Sequence, residues 1–148
     1  MLTGRTRNNP SQPRVFARLF KATSAGLSDA AVFLDEVMES AGLAMTPQAA
    51  TLSIILDEIS SNIIKHSGAH DFEVGVTVEE EPRSVTIVIS DDGTPYDPLG
   101  HVDPDTTLSA AERPIGGLGI LMVKKMSDSV SYSREGDRNI LKIVKNIP

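Results

Sequence analysis

Two consecutive runs near the middle of the chain put their apolar residues on alternate positions. In DFEVGVTVE (71–79), Phe72, Val74, Val76 and Val78 share one face, and in SVTIVIS (84–90), Val85, Ile87 and Ile89 do the same. Period-two patterning of this kind predicts strands with one face to bury. The Glu79–Arg83 stretch, which holds Pro82, predicts a turn between them, and hence an antiparallel hairpin. A hairpin with one apolar face needs a second layer to cover it.

Helices are expected to supply that layer. Residues 28–41 repeat Ala30, Leu34, Val37 and Ala41 at helical spacing, widened by Phe33 and Met38, with Ser28 or Asp29 as cap and Gly42 as stop. A second helix is predicted from Pro47 to His66. Thr46 is its N-cap, Pro47 its first residue, Leu52, Leu56, Ile59 and Ile63 its buried stripe, and Gly68 its end. Residues 14–22 read as a strand with apolar groups on both faces, so the pattern leaves its buried side open. Residues 91–117 carry Gly, Pro and Asp with no sustained period, as a working loop or lid does. A short helix at 119–126 and strands near 129–134 and 139–146, joined at Gly136–Asp137, complete the chain.

The order β-α-α-β-β-lid-α-β-β has no alternating βα rhythm. It predicts an α+β fold: a two-layer α/β sandwich with a mostly antiparallel mixed sheet and helices on one face. The 148 residues suit one domain, expected at 14–148 behind a polar N-terminal arm at 1–13 that holds Pro10 and Pro13. A net charge of −6 disfavours nucleic acid and anionic membrane as partners. No apolar run approaches the ~20 residues of a membrane helix. The basic start lacks the apolar core of a secretory signal, and the absence of cysteine removes disulfides, thiolate metal sites and cysteine nucleophiles. A cytoplasmic location is the matching expectation.

Three groups of residues could carry chemistry. Glu58 and Asn62 lie one helical turn apart on the second helix and share a face. A carboxylate can take a hydroxyl proton, and an amide oxygen can bind a hard cation such as Mg2+. Alone, the pair reads more simply as a solvated helix edge. Asp91, Gly93 and Pro95 follow a strand in SDDGTPYDP. Asp91 could accept a hydrogen bond from an exocyclic amine, as adenine offers, and Gly93 permits close backbone approach. Alone, Asp-Gly is a turn signal. Gly116-Gly117-Leu118-Gly119 opens a helix, where free backbone N–H groups suit phosphate, or where a hinge sits without ligand. Neither the P-loop nor the Rossmann glycine pattern is present.

In this order the three groups resemble the N, G1 and G2 boxes of the Bergerat (GHKL) ATP-binding fold: Glu58-Ile59-Ser60-Ser61-Asn62, Asp91-Asp92-Gly93-Thr94-Pro95 and Gly117-Leu118-Gly119-Ile120. Within that superfamily, TPYDP, GGLGILMVKKMSD, SYSREGDRN and NILKIVK are similar to the anti-sigma-factor serine/threonine kinases of the histidine kinase-like ATPase type, over about residues 14–147. The resemblance implies a protein serine/threonine kinase using ATP and Mg2+. Glu58 would be the general base, Asn62 the Mg2+ ligand and Asp91 the adenine reader, with Gly93 making room for the ring and Pro95 beside it. Gly117, Leu118 and Gly119 would wrap the phosphates, with Arg113 toward the γ-phosphate or a partner. The implied partners are a STAS-type anti-sigma-factor antagonist as phosphoacceptor, a sigma factor or other regulator, and a second copy in a homodimer.

Lys65 follows Asn62 by one turn and could reach phosphate, although a solvated helix-end lysine is the simpler reading. His66 is expected as a cap or supporting group, Asp92 and Asp97 as turn formers, and the three histidines lack metal-site spacing. The alternative function is a nucleotide-binding partner-switch module without kinase activity. A histidine-kinase fragment ranks last, because the ~45 residues before the second helix contain no histidine and no paired-helix region.

Overall fold

The computed structural model describes residues 12–100 and 118–148. Strand β1 (Arg14–Lys21) is followed by α1 (Ser24–Ser40), α2 (Pro47–Asn62), a π-helical turn (Ile63–Ser67), β2 (Asp71–Glu80), β3 (Arg83–Asp91), a 3-10 turn (Pro98–Gly100), α3 (Leu118–Met126), β4 (Ser129–Glu135) and β5 (Arg138–Asn146). The sheet order is β1-β2-β3-β5-β4. Every pairing is antiparallel, which sharpens the expected mostly antiparallel sheet. Most of the N-terminal arm and the expected lid from residue 101 to 117, with Arg113, Gly116, Gly117 and His101, lie outside the described residues.

Alternation decides the layers. Phe72, Val74, Val76, Val78, Val85, Ile87 and Ile89 are all buried between sheet and helices, at 1% exposure or less. They meet Phe33, Leu34 and Val37 of α1 and Leu52, Ile55 and Leu56 of α2. Burying one such side chain stabilises by roughly 1.5–3 kcal/mol.

Strand β1, whose buried side the sequence leaves open, turns Phe16 and Phe20 inward and leaves Val15 and Leu19 largely exposed. The aromatic rings decide this. Phe20 packs 5.7 Å from Phe33 and 5.6 Å from Phe72, centroid to centroid. Arg18, between the two phenylalanines on the inward face, lays its guanidinium carbon 5.1 Å from the centre of the Phe33 ring. That contact explains how a cation is tolerated there.

Helix α1 begins four residues before the expected start. Thr23, not Ser28 or Asp29, is its N-cap and accepts a hydrogen bond from the Gly26 N–H at 3.1 Å. Gly26 looks like a helix breaker in sequence. It sits there because a Cβ would overlap the Lys21 carbonyl, so the first turn of α1 rests directly on the end of β1. The predicted stop holds, with Gly42 at φ +71°.

Helix α2 begins as expected. Thr46 accepts from the Ala49 N–H at 3.2 Å and Pro47 occupies the first turn. Its expected last turn differs: after Asn62 the backbone widens into the π-helical turn and ends at Gly68, φ +66°. Such wide turns re-aim the residues that follow them. Here Ser67 is buried, donates to the Ile63 carbonyl at 2.8 Å, and meets the loop after β3. No helix among the described residues is long and apolar enough to cross a membrane.

Candidate functional site

A cleft opens where the end of α2 meets the ends of β3 and β5. Its walls are apolar: Ile59 and Ile63 from the helical side, Ile89 and Leu141 from the sheet. Asn62, Asp91, Tyr96, Tyr132 and Asn139 supply its polar groups. A mostly apolar cleft with a few fixed polar groups is the usual form of a small-molecule site. Two residues singled out from sequence, Asn62 and Asp91, therefore converge on one space although 29 positions separate them.

Asp91 is 4% exposed, and its position is fixed on all sides. Oδ1 accepts from the Gly93 N–H at 2.9 Å and from Asn139 Nδ2 at 3.1 Å. Asn139 also donates to the Thr94 carbonyl at 2.8 Å, while its own Oδ1 accepts from the Tyr96 N–H at 3.1 Å and the Tyr132 hydroxyl at 2.6 Å. Both donors and both acceptor positions of this amide are used, so it has one orientation. Among the described residues no hydrogen bond reaches Asp91 Oδ2. That leaves a carboxylate oxygen at a dry wall, able to accept an N–H from a ligand.

Glu58 lies one turn before Asn62 and is half-buried. Its carboxylate rests against Gly119 in the first turn of α3, where any Cβ would overlap it. The first and third sequence groups thus touch. A helix N-terminus favours an anion, so the meeting place of α2 and α3 suits negative charge.

The model of the histidine kinase-like ATPase domain family matches residues 20–145. The chain belongs to that family. Membership of an ATPase family implies an ATP site. A curated relative of this ATPase domain is serine/threonine-protein kinase BtrW of Bordetella bronchiseptica, 28% identical over 98 residues that span 65% of this chain and 69% of BtrW. Among solved structures, the RsbU and RsbW domains of Rv1364c from Mycobacterium tuberculosis match 89% of this chain with a TM-score of 0.63 and 13% identity. The domain spans 32% of that longer chain. The SiaB–SiaC complex of Pseudomonas aeruginosa matches 89% of both chains with a TM-score of 0.56 and 15% identity. At such identities the two structures establish the fold of the ATPase domain.

The other sequence candidates among the described residues do not line the cleft. Gly93 lies behind Asp91, and the space its side chain would take is filled by Ser67, not open to a ring as the resemblance implied. The Thr94 N–H donates to the Ser67 carbonyl at 2.8 Å and Arg134 Nη1 donates to the Gly93 carbonyl at 2.8 Å, so this glycine joins the helix end to the loop. Gly93→Ala in the ATPase domain is expected to cost about 1–3 kcal/mol by overpacking. Urea unfolding measures it, and an unchanged midpoint would refute the contact. Pro95 and Lys65 are exposed and do not line the cleft. Leu118 opens α3, while Gly117 and Arg113 fall outside the described residues.

Asp97 forms a local turn, as expected, whereas Asp92 reaches across to the start of β2 instead of forming one. Asp97 accepts from the Leu99 N–H at 2.8 Å. Asp92 accepts from the His70 and Asp71 N–H groups at 2.9 and 3.3 Å. Those backbone donors, that of Asp71 foremost, hold its carboxyl below the usual range. His66 stacks on Tyr96 at 5.8 Å, a supporting place at the cleft's rim. Sequence reasoning missed Asn139, Tyr132 and Tyr96. The signal for Asn139 lies in strand pairing, because register puts it directly opposite Asp91.

Proposed function

We propose that this ATPase domain is an ATP- and Mg2+-dependent protein serine/threonine kinase of the anti-sigma-factor type. Its acceptor would be a STAS-type antagonist, and a sigma factor or other regulator would be held by contact, by a cytoplasmic homodimer. The carrying observation is the convergence of Asn62 and Asp91 on one apolar cleft, with Glu58 one turn away against the first turn of α3. That the relative BtrW is a serine/threonine-protein kinase supports the same chemistry.

In this reading Asp91 Oδ2 accepts the exocyclic amine of adenine, and the isoleucine and leucine walls enclose the ring. Among the described residues no cluster of three His, Cys, Asp or Glu could hold a metal. The donor set therefore suits Mg2+ held mainly by phosphate oxygens and water, with the Asn62 amide oxygen as its protein ligand. Bound there, Mg2+ would neutralise phosphate charge. Gly119 at the start of α3, with Leu118 and Gly117 before it in sequence, would offer backbone N–H groups to the phosphates. Arg113 would be a further cation for that end, as the resemblance implies. Glu58 takes the proton of a partner's serine hydroxyl as its oxygen bonds to the γ-phosphorus. The bond to the β–γ bridging oxygen breaks, and ADP leaves with that electron pair.

Incubation with labelled ATP, Mg2+ and a STAS-type antagonist is expected to place label on a partner serine or threonine. A folded sample that binds ATP yet transfers no label would refute the kinase assignment. Binding itself is read from a thermal shift. Ligand at one hundred times its Kd stabilises the native state by about 2.7 kcal/mol.

A further inference from the structure

At the other end of α2, away from the cleft, a second concavity lies between the helices. Ala49 and Asn62 are thirteen residues apart on α2, which separates the two places by about 20 Å. Met38, Ala44, Ala49 and Ala50 form its apolar lining, and Asp35 and Glu39 stand one turn apart on its α1 wall. Beside Ala44, Met45 is 97% exposed, an unusual position for a large apolar side chain.

The charge of this layer is one-sided. Residues 24–62, from the start of α1 to the end of α2, contain six carboxylates and no Lys or Arg. The remaining 14 acids are matched by the chain's 14 Lys and Arg, so the helical layer holds the whole net charge of −6. Asp35 and Glu39 are exposed, and neither takes part in an ion pair among the described residues. Helix i,i+4 carboxylates repel one another. The nearest bases, Arg14 on the Ser40 carbonyl and Arg83 on the Ala41 carbonyl, are held at the end of α1 and pair with Glu80 rather than with Asp35 or Glu39, so a cation brought by a partner would relieve that repulsion.

We propose that the α1–α2 groove is a docking site for a basic amphipathic segment of a partner protein, seating an apolar side chain on Met38, Ala49 and Ala50 and placing Lys or Arg against Asp35 and Glu39. The proposal does not depend on the kinase reading, since it uses none of the cleft residues. Helix-in-groove recognition of this kind takes its affinity from the apolar anchor and its selectivity from the charged wall.

The test is titration of the isotope-labelled full chain with a 16-residue Leu/Lys helical peptide and its Leu/Glu counterpart, read by amide chemical shifts. Shifts confined to residues 35–53, for the Leu/Lys peptide alone, are expected. Asp35→Lys/Glu39→Lys should weaken binding about tenfold or more, which is 1.4 kcal/mol per tenfold. Ala50→Leu, which fills the groove and leaves its charge, should weaken binding as much. Equal binding of both peptides, shifts spread over the sheet, or a groove-filled variant that binds normally would each overturn the proposal. So would self-association of the chain that Asp35→Lys/Glu39→Lys abolishes, since a second copy would then be the occupant.

Discussion

Glu58→Gln is expected to leave ATP binding intact and to lower phosphoryl transfer to the acceptor by roughly two to four orders of magnitude. The amide keeps the size and shape of the carboxylate, so the contact with Gly119 persists and the helix packing is undisturbed. It cannot take a proton at neutral pH. A general base gone and a nucleotide site retained give a clear pair of readouts: an unchanged thermal shift with ATP and a collapsed rate of label transfer. Glu58→Asp should fall between the two, because its carboxylate is one methylene short of the acceptor. A glutamine variant that transferred at the parental rate would remove Glu58 from the reaction.

Asn139→Asp is expected to weaken ATP binding by about a hundredfold or more, although it changes one amide group to a carboxylate of the same shape. In the native network the Asn139 amide donates to Asp91 Oδ1 at 3.1 Å in a site where both residues are almost fully buried. The substitution replaces that donor with an acceptor and sets two carboxylates within contact distance. Like charges so placed cannot both stay ionised, and one pKa rises strongly. The proton that relieves them competes for the oxygen left free on Asp91. Binding by Asn139→Asp should therefore be weak near neutrality and more sensitive to pH than the parent's. Isothermal titration across pH tests this. Asn139→Ser, which leaves one donor, should retain part of the affinity, and equal losses in both variants would argue for simple loss of packing.

Much of the architecture was legible because it follows from periodicity. Phe72, Val74, Val76 and Val78 must share a side, and the helices at Leu34 and Leu56 must cover it. Local chemistry gave Thr46 and Pro47 as the start of α2 and Gly42 and Gly68 as stops. It failed at Gly26, where a contact with Lys21, distant from any pattern, outweighs the residue's poor helix propensity. In the site, Asn62 and Asp91 were visible as chemistry in sequence and prove to be neighbours in space. Asn139 was not, because an asparagine near a turn is ordinary, and only the pairing of β3 with β5 brings it to Asp91. Gly93 was noticed, but its reason lay in Ser67 at the end of an irregular turn that helical periodicity does not encode.

The position of β5 between β3 and β4 bears on how the molecule is made. A ribosome delivers β1 to β3 and both long helices well before it reaches Asn139 and Leu141, which are walls of the cleft. A nascent chain that ends before β5 therefore lacks the Asn139 amide that holds Asp91 from the far side. On the proposed reading, ATP would bind only chains translated through that last central strand, so the nucleotide would act late, as an inspector of finished molecules rather than a template for folding ones.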